Sequence, residues 1–432
     1  MTPLPLSARA MRTTGSPISY FIRKAIETPG LISLAAGLVD AGSLPASEIA
    51  EAVAEILGDG STARAALQYG STAGYTPLRE QILSEVCTAD GVRPSDIGLS
   101  IEDVVLSTGS QQLLYLLGEV LLDEGDIVIT EAPSYFVYHG ALASLGARVL
   151  SVPMDSGGMN LSALEELLES LKQSSELNRV KIVYTVDYFQ NPTGLTLAAD
   201  RRPRLVELVR RFSTHQRIVI LEDAAYRELR YEGPDLPSVK RFDEQNEFVV
   251  YTSTFSKPCA PGLKTGYALL PRDLVAPICH LKGNHDFGSS NFAQHILHRL
   301  LESGAYRNHV TALRDVYRTK RDAMLRAITE EFADWPEVRW TQPGGGLYVW
   351  MTFPSHIVTG AGGPLVDRAL DAGVLYVPGE YGHVPDEFGH VPNTEARLSF
   401  GVASPEEITE AIRRLRQACR GLERVPVPAM AG

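Results

Sequence analysis

The feature that most constrains this chain is an alternation between residues 100 and 271, where short apolar runs are separated by longer stretches of helical pattern. The runs cover residues 104–106, 127–129, 149–152, 181–186, 218–221, 249–252 and 267–270. They are rich in valine and isoleucine and show no clear polar alternation, as expected of strands covered on both faces. The stretches between them suit covering helices; residues 162–171, opening on Ser162 with Glu165 three positions on, predict a helix with a capping box. Strand and helix in turn predict an α/β fold, a mostly parallel seven-stranded sheet with helices on both faces. Ligands of such sheets collect beyond the carboxyl ends of the strands.

At 432 residues the chain exceeds one ordinary core. After residue 305 the pattern changes to long charged helices over residues 308–332, short strands near 346–351 and 397–400, and a last helix opening at Ser404-Pro405-Glu406-Glu407 with a capping box. The expected division is an arm joined to the small domain over residues 1–50, a large domain over 51–305, and a smaller α+β domain over 306–432. Pro3, Pro5 and Gly15 read as opposing an early helix, so residues 1–15 are expected to be a loose arm, followed by a short helix over 18–26. The Pro- and Ala-rich residues 425–432 are expected to be a disordered tail.

The formal charge of −12 leaves no global basic field for nucleic acid or an anionic membrane, and anionic substrates need local cations. No apolar run approaches the roughly 18 residues of a membrane span. Cys87, Cys259, Cys279 and Cys419 show no CxxC pairing, which fits a reducing compartment and a cytoplasmic location. Arg9, Arg12 and Arg23 precede the first acidic residue, Glu27, a faint transit-peptide feature ranked below the cytoplasmic reading. His295 and His298 stand three apart with no carboxylate or cysteine to complete a ligand set, so no metal site is expected.

Several strand ends carry residues that make chemical sense together. Lys257, in Thr254-Phe255-Ser256-Lys257, follows a strand among small hydroxyls, with a second cation at Lys264. An amine so placed can bond to a carbonyl, and hydroxyls with a cation can hold the phosphate of pyridoxal phosphate (PLP). Ser107-Thr108-Gly109-Ser110-Gln111 leads from a strand into an apolar helix whose first amides suit a phosphate. Tyr135 can stack on a flat ring, and Asn191, before Pro192, is a rigidly placed donor with a candidate cis bond. Asp223 ends a strongly apolar strand, where a carboxylate can keep a pyridinium protonated, and Tyr226 can donate to the ring's phenolate oxygen. Arg397 offers a forked donor for a carboxylate. Each has an ordinary alternative: a solvated lysine, a capped helix, a surface tyrosine, an Asn-Pro turn, a helix N-cap, a surface ion pair.

In order and spacing, Asn191-Pro192-Thr193-Gly194, Asp223-Ala224-Ala225-Tyr226, Ser256-Lys257 and Arg397 resemble fold-type I PLP enzymes, specifically the class I/II aminotransferases and their 2-aminoadipate, kynurenine and aromatic group. The resemblance implies transfer of an amino group from an L-amino acid to a 2-oxo acid such as 2-oxoglutarate by a ping-pong mechanism. Lys257 is then the cofactor-linking lysine and general base, Asp223 the partner of the pyridine nitrogen, Asn191 and Tyr226 those of the phenolate oxygen, and Tyr135 the stacking ring. Gly109, Ser110, Gln111, Thr254, Ser256 and Lys264 hold the phosphate. Tyr69 reaches the phosphate of a neighbouring subunit, which implies a homodimer with shared sites. Arg397, Asn191 and Gly37 meet the substrate, and Arg23 resembles the arginine that some 2-aminoadipate and kynurenine aminotransferases place on a distal carboxylate. The chain departs from the family in Lys264, usually arginine, whose lost fork implies weaker cofactor retention. Asp187 and Tyr188 stand where Pro-Asn is frequent, which implies an altered pocket wall, and a loop rich in His and Pro runs over residues 380–393. A lyase or amino-acid-tailoring reaction on the same scaffold is the alternative. A PLP-binding regulatory module ranks lower, since such regulators carry a winged helix first and the resemblance here starts near residue 15.

Overall fold

The computed structural model describes residues 4–15, 17–35, 37–360, 362–386 and 388–422. The expected tail over 425–432 and the first three residues of the arm lie outside them.

The seven apolar runs form one sheet: β1 (Val104–Ser107), β2 (Ile127–Ala132), β3 (Arg148–Asp155), β4 (Val180–Thr185), β5 (Val219–Asp223), β6 (Val249–Thr254) and β7 (Gly266–Leu269). Their spatial order is β1-β7-β6-β5-β4-β2-β3, with β7 antiparallel to both neighbours and the other pairs parallel. β1, β5, β6 and β7 are buried along their whole length, which accounts for the absence of alternation in their sequences. The sheet has one strand more than the sequence predicts: Gly158–Met159 turns back antiparallel on the end of β3. Two residues, one of them glycine, carry no periodic signal.

Beyond β7 the chain forms the long helix Ala305–Phe332, packed with the last helix, Pro405–Cys419. Ser404 and Glu407 cap the latter reciprocally, as the sequence predicts. The same part of the chain holds a small antiparallel sheet ordered Arg339–Trp340, Tyr348–Thr352, Glu395–Ser399, Val377–Pro378, in which Trp350 lies opposite Arg397. The N-terminal segment joins this part of the molecule. Ile32–Ser33 pairs with Val374–Leu375, and Ser399 donates its amide to the Leu34 carbonyl at 2.7 Å. No helix among the described residues is long and apolar enough to cross a membrane.

Three local expectations are corrected. The helix Leu161–Gln173 is capped by Asn160, whose Oδ1 accepts from the amides of Ser162 and Ala163, so the Ser162 capping box does not form. The arm holds a short helix, Ala8–Arg12, with Ser7 accepting from the Ala10 amide. Pro3 and Pro5 precede that cap, and proline opposes a helix only from inside it; Arg9 and Arg12 then pin the helix to Glu119 and Glu124. Asp187 and Tyr188 are buried away from the cavity described below. Arg202, fully buried on Arg201–Phe212, pairs with Asp187 and stacks 4.3 Å from the centroid of Tyr188, whose hydroxyl donates to the Leu236 carbonyl. The departure at these positions is therefore a buried ion pair outside the cavity lining.

Removing one partner of such a pair strands a charge in a low-dielectric interior. Arg202→Met is expected to lower stability by about 3–5 kcal/mol in urea unfolding, with Asp187→Asn on that background recovering part of the loss. A loss near zero contradicts the assignment.

Candidate active site

A cavity of about 170 Å³ opens at the carboxyl ends of β1, β5 and β6. At one end stands the start of the helix Gly109–Leu121, with Gly109 at φ +71° contributing no side chain. Gly266 on β7 lets that turn approach: a Cβ there would lie 2.4 Å from the Ser110 nitrogen. The helix start thus presents bare amides at the positive end of its dipole, and Ser110, Gln111, Thr254, Ser256 and Lys264 line the cavity around it. Thr254 Oγ1 orders the turn after β6, accepting from the Ser256 amide at 3.1 Å. Lys264 takes a left-handed conformation, φ +50°, where it ends the short helix Pro261–Leu263.

Asp223, the last residue of β5, is buried against the cavity. Its carboxylate accepts from the Tyr184 hydroxyl at 3.0 Å and the Ala225 amide at 3.3 Å. Burial pushes its pKa up to about 6 against the lowering effect of those two hydrogen bonds, and the Asp187 charge raises it further. Tyr135, Val186, Ala225 and Tyr226 complete this part of the lining. The Asn191-Pro192 bond is cis, and so is Ala132-Pro133, which the sequence reading did not single out. Asn191 is fixed by its neighbour: Gln190 Nε2 donates to Glu131 at 2.5 Å and to the Pro133 carbonyl at 3.1 Å. Glu131, whose pKa burial pushes up to about 7, also accepts from Thr185 at 2.7 Å.

Contacts between distant segments close the site. Half-buried Lys257 donates from Nζ to the Gly37 carbonyl at 2.7 Å. Arg397 donates to Asn191 Oδ1 at 2.9 Å and to the Ala35 carbonyl at 2.6 Å, while its buried Nε has no partner among the described residues. The guanidinium stacks 4.5 Å from the centroid of Tyr348, and the hydroxyls of Tyr348 and Tyr226 are 3.2 Å apart.

The structure therefore brings Gly109, Ser110, Gln111, Tyr135, Asn191, Asp223, Tyr226, Thr254, Ser256, Lys257 and Lys264 to one cavity, with Gly37 and Arg397 adjoining through Lys257 and Asn191. It places two residues elsewhere. Tyr69 is 85% exposed beside Phe287, and Arg23 is exposed on the helix Pro17–Glu27. His295 and His298 serve packing, stacked on Tyr75 and bonded to Gln81. Of the loop over 380–393, Gly382 accepts from the Ser134 amide and His383 bonds Glu395 at 2.6 Å. The sequence reading missed Tyr348, Tyr184 and Glu131. A signal for Tyr348 existed in Gly344-Gly345-Gly346 just before it: a Cβ at Gly345 or Gly346 would come within 2.7 Å of Phe189, so the strand is delivered by backbone packed against an aromatic ring.

The sequence pattern of the family described as aminotransferase class I and II matches residues 29–415. The aromatic-amino-acid aminotransferase 1 of Thermococcus litoralis is 37% identical over 96% of this chain and 94% of its own. The 2-aminoadipate transaminase of Thermus thermophilus is 37% identical over 98% of this chain and 99% of its own. The kynurenine aminotransferase of Pyrococcus horikoshii, solved in complex with PMP, matches with a TM-score of 0.88 and 33% identity, covering 97% of this chain and 98% of that one. The chain belongs to the class I and II aminotransferases. It is a PLP-dependent enzyme that moves the amino group of an L-amino acid to a 2-oxo acid.

The residues present fit that cofactor. Bare amides and a lysine would meet a phosphate and a buried carboxylate would meet a ring nitrogen, and among the described residues Gln111 Oε1 and Arg397 Nε are buried without partners of their own. The raised Asp223 pKa also has a sign that can be measured in the apoprotein. A buried acid that binds its proton more tightly folded than unfolded destabilises the fold above its unfolded pKa, increasingly until pH passes the folded value of about 6. Asp223→Asn removes that cost. It is expected to stabilise the apoprotein by roughly 3 kcal/mol at neutral to mildly alkaline pH and by about half as much one unit below the folded pKa. A gain independent of pH contradicts the assignment.

Proposed function

We propose that Lys257, Asp223 and Tyr226 carry the chemistry of this transamination, on aromatic or 2-aminoadipate-like donors and with 2-oxoglutarate as an acceptor. The observation that carries the reading is the grouping of Asp223, Lys257 and Tyr226 around one cavity, with Arg397 held at its edge by Asn191. Bound, PLP supplies an aldehyde carbon for the amino group and a ring that draws electrons from the bond broken at Cα. The amides of Gly109 and Ser110, with Gln111, Thr254, Ser256 and Lys264, hold its phosphate. Asp223 keeps a proton on the ring nitrogen, since a desolvated carboxylate gains most from a cation placed against it. Asn191 has its oxygen engaged by Arg397, which leaves its amide hydrogens for the ring oxygen, and the Tyr226 hydroxyl joins it. Tyr135 stacks on the ring. Lys257, displaced by the incoming amine, takes the proton from Cα on Nζ and returns it one carbon away.

Arg397 clamps the α-carboxylate in bidentate fashion beside the Gly37 loop. Arg23 meets the distal carboxylate of an acidic donor; the net charge of −12 makes such a local cation necessary for dicarboxylates. The names of the relatives support the donor class. Tyr69, exposed outside the cavity of its own chain, reaches the phosphate in a second copy, so the working unit is a homodimer with shared sites. A cytoplasmic location and the division at 1–50, 51–305 and 306–432 belong to the same reading.

A panel of amino acids with 2-oxoglutarate, scored by glutamate formed, tests it on wild type and Arg23→Ala. Aromatic donors and 2-aminoadipate are expected to lead. Arg23→Ala is expected to lower kcat/KM for 2-aminoadipate roughly tenfold or more, the value of a charge-assisted contact, and to leave phenylalanine unchanged. An equal fall for both donors removes Arg23 from the site.

A further inference from the structure

Tyr348 stands behind the cavity lining, on the first strand residue after the glycine run, and is 1% exposed. Its ring alone explains the packing: Arg397 lies over its face at 4.5 Å, and a phenylalanine would fill the same space. The hydroxyl needs a separate reason, because a buried hydroxyl that bonds nothing is costly. Its bonding partner among the described residues is the Tyr226 hydroxyl at 3.2 Å. Room for it is kept by Gly37, where a Cβ would lie 2.7 Å from the Tyr348 oxygen. The Gly37 carbonyl in turn accepts from Lys257.

Two hydroxyls in contact share one proton between them, and the direction of that bond decides what Tyr226 offers the cavity. Tyr348 lies outside the cavity lining and its hydroxyl meets no other acceptor among the described residues, whereas Tyr226 lines the cavity and can place its own proton there. Tyr348 then donates to the Tyr226 oxygen, and the Tyr226 proton is left to point into the cavity that Tyr226 lines. A donor that is itself a hydrogen-bond acceptor is strengthened by the polarisation of the chain.

We infer that Tyr348 is a positioning residue for the reaction: its hydroxyl donates to Tyr226 and so aims and strengthens the Tyr226 hydrogen bond to the cofactor's phenolate oxygen. The inference rests on the role proposed for Tyr226. Its signature is spectroscopic. Weaker donation leaves more negative charge on that oxygen, which holds the proton on the nitrogen joined to Lys257 more tightly, so the pH at which the bound cofactor changes absorbance rises.

The experiment titrates the absorbance of PLP-loaded wild type, Tyr348→Phe, Tyr226→Phe and the double variant. Tyr348→Phe is expected to raise the midpoint by roughly 0.5–1 pH, the equivalent of one ordinary hydrogen bond. Tyr226→Phe is expected to raise it further, and the double variant to match Tyr226→Phe. A Tyr348→Phe midpoint equal to wild type, or a full additional shift in the double variant, overturns the inference while leaving Tyr226 in place. An unmoved midpoint in Tyr226→Phe overturns the role of Tyr226 and the inference with it.

Discussion

A carboxylate buried at the end of a central strand, with no ion pair among the described residues, is the constraint on which the site depends. Asp223 is held by a tyrosine hydroxyl and one amide, and burial lifts its pKa to about 6. A carboxylate so desolvated gains most from a cation placed against it. The cation proposed for it comes from outside the chain, the protonated nitrogen of PLP. The same sheet sets the other end of the ligand. β1 and β7 bring the helix start at Gly109 into reach, and glycine at 266 lets its amides approach closely enough to meet a phosphate.

Arg397 joins three segments that are far apart in sequence. It sits on a strand of the small sheet, donates to Ala35 of the N-terminal segment, and donates to Asn191 at the end of the large sheet. Its forked geometry makes this possible, since one planar group carries donors in several directions. Its Nε has no partner among the described residues, which leaves a donor for the carboxylate proposed to bind there. Tyr348 supports the guanidinium from its face and reaches Tyr226 with its hydroxyl, which ties Arg397 and the cavity lining into one cluster.

Much of this arrangement was legible in the sequence because strand ends in a doubly covered sheet converge by geometry. Polar residues that end apolar runs, Asp223 and Lys257 above all, had to fall on the same edge. What escaped was set by contacts between segments. Glu131 and Tyr184 lie on strands that read as apolar, and their roles come from Gln190 and Asp223 on neighbouring elements. Asp187 and Tyr188 looked like a changed pocket wall; their partner, Arg202, comes from the following helix and turns them away from the cavity. Asn160, two residues before Ser162, takes the cap by accepting from the amides of Ser162 and Ala163, so the helix starts before Ser162 can cap it. Tyr69 and Arg23, singled out by motif, lie exposed outside the cavity lining of this chain.

The central claim is that Lys257 links the cofactor in the cavity that ends at Asp223. Borohydride reduction of the PLP-loaded enzyme, followed by proteolysis and mass spectrometry, tests it most directly, because reduction fixes the bond between the cofactor's aldehyde carbon and whichever amine holds it. The account predicts the pyridoxyl label on the peptide carrying Lys257 and its loss in Lys257→Ala. A label on Lys264 or another lysine, or undiminished labelling of the alanine variant, would contradict it.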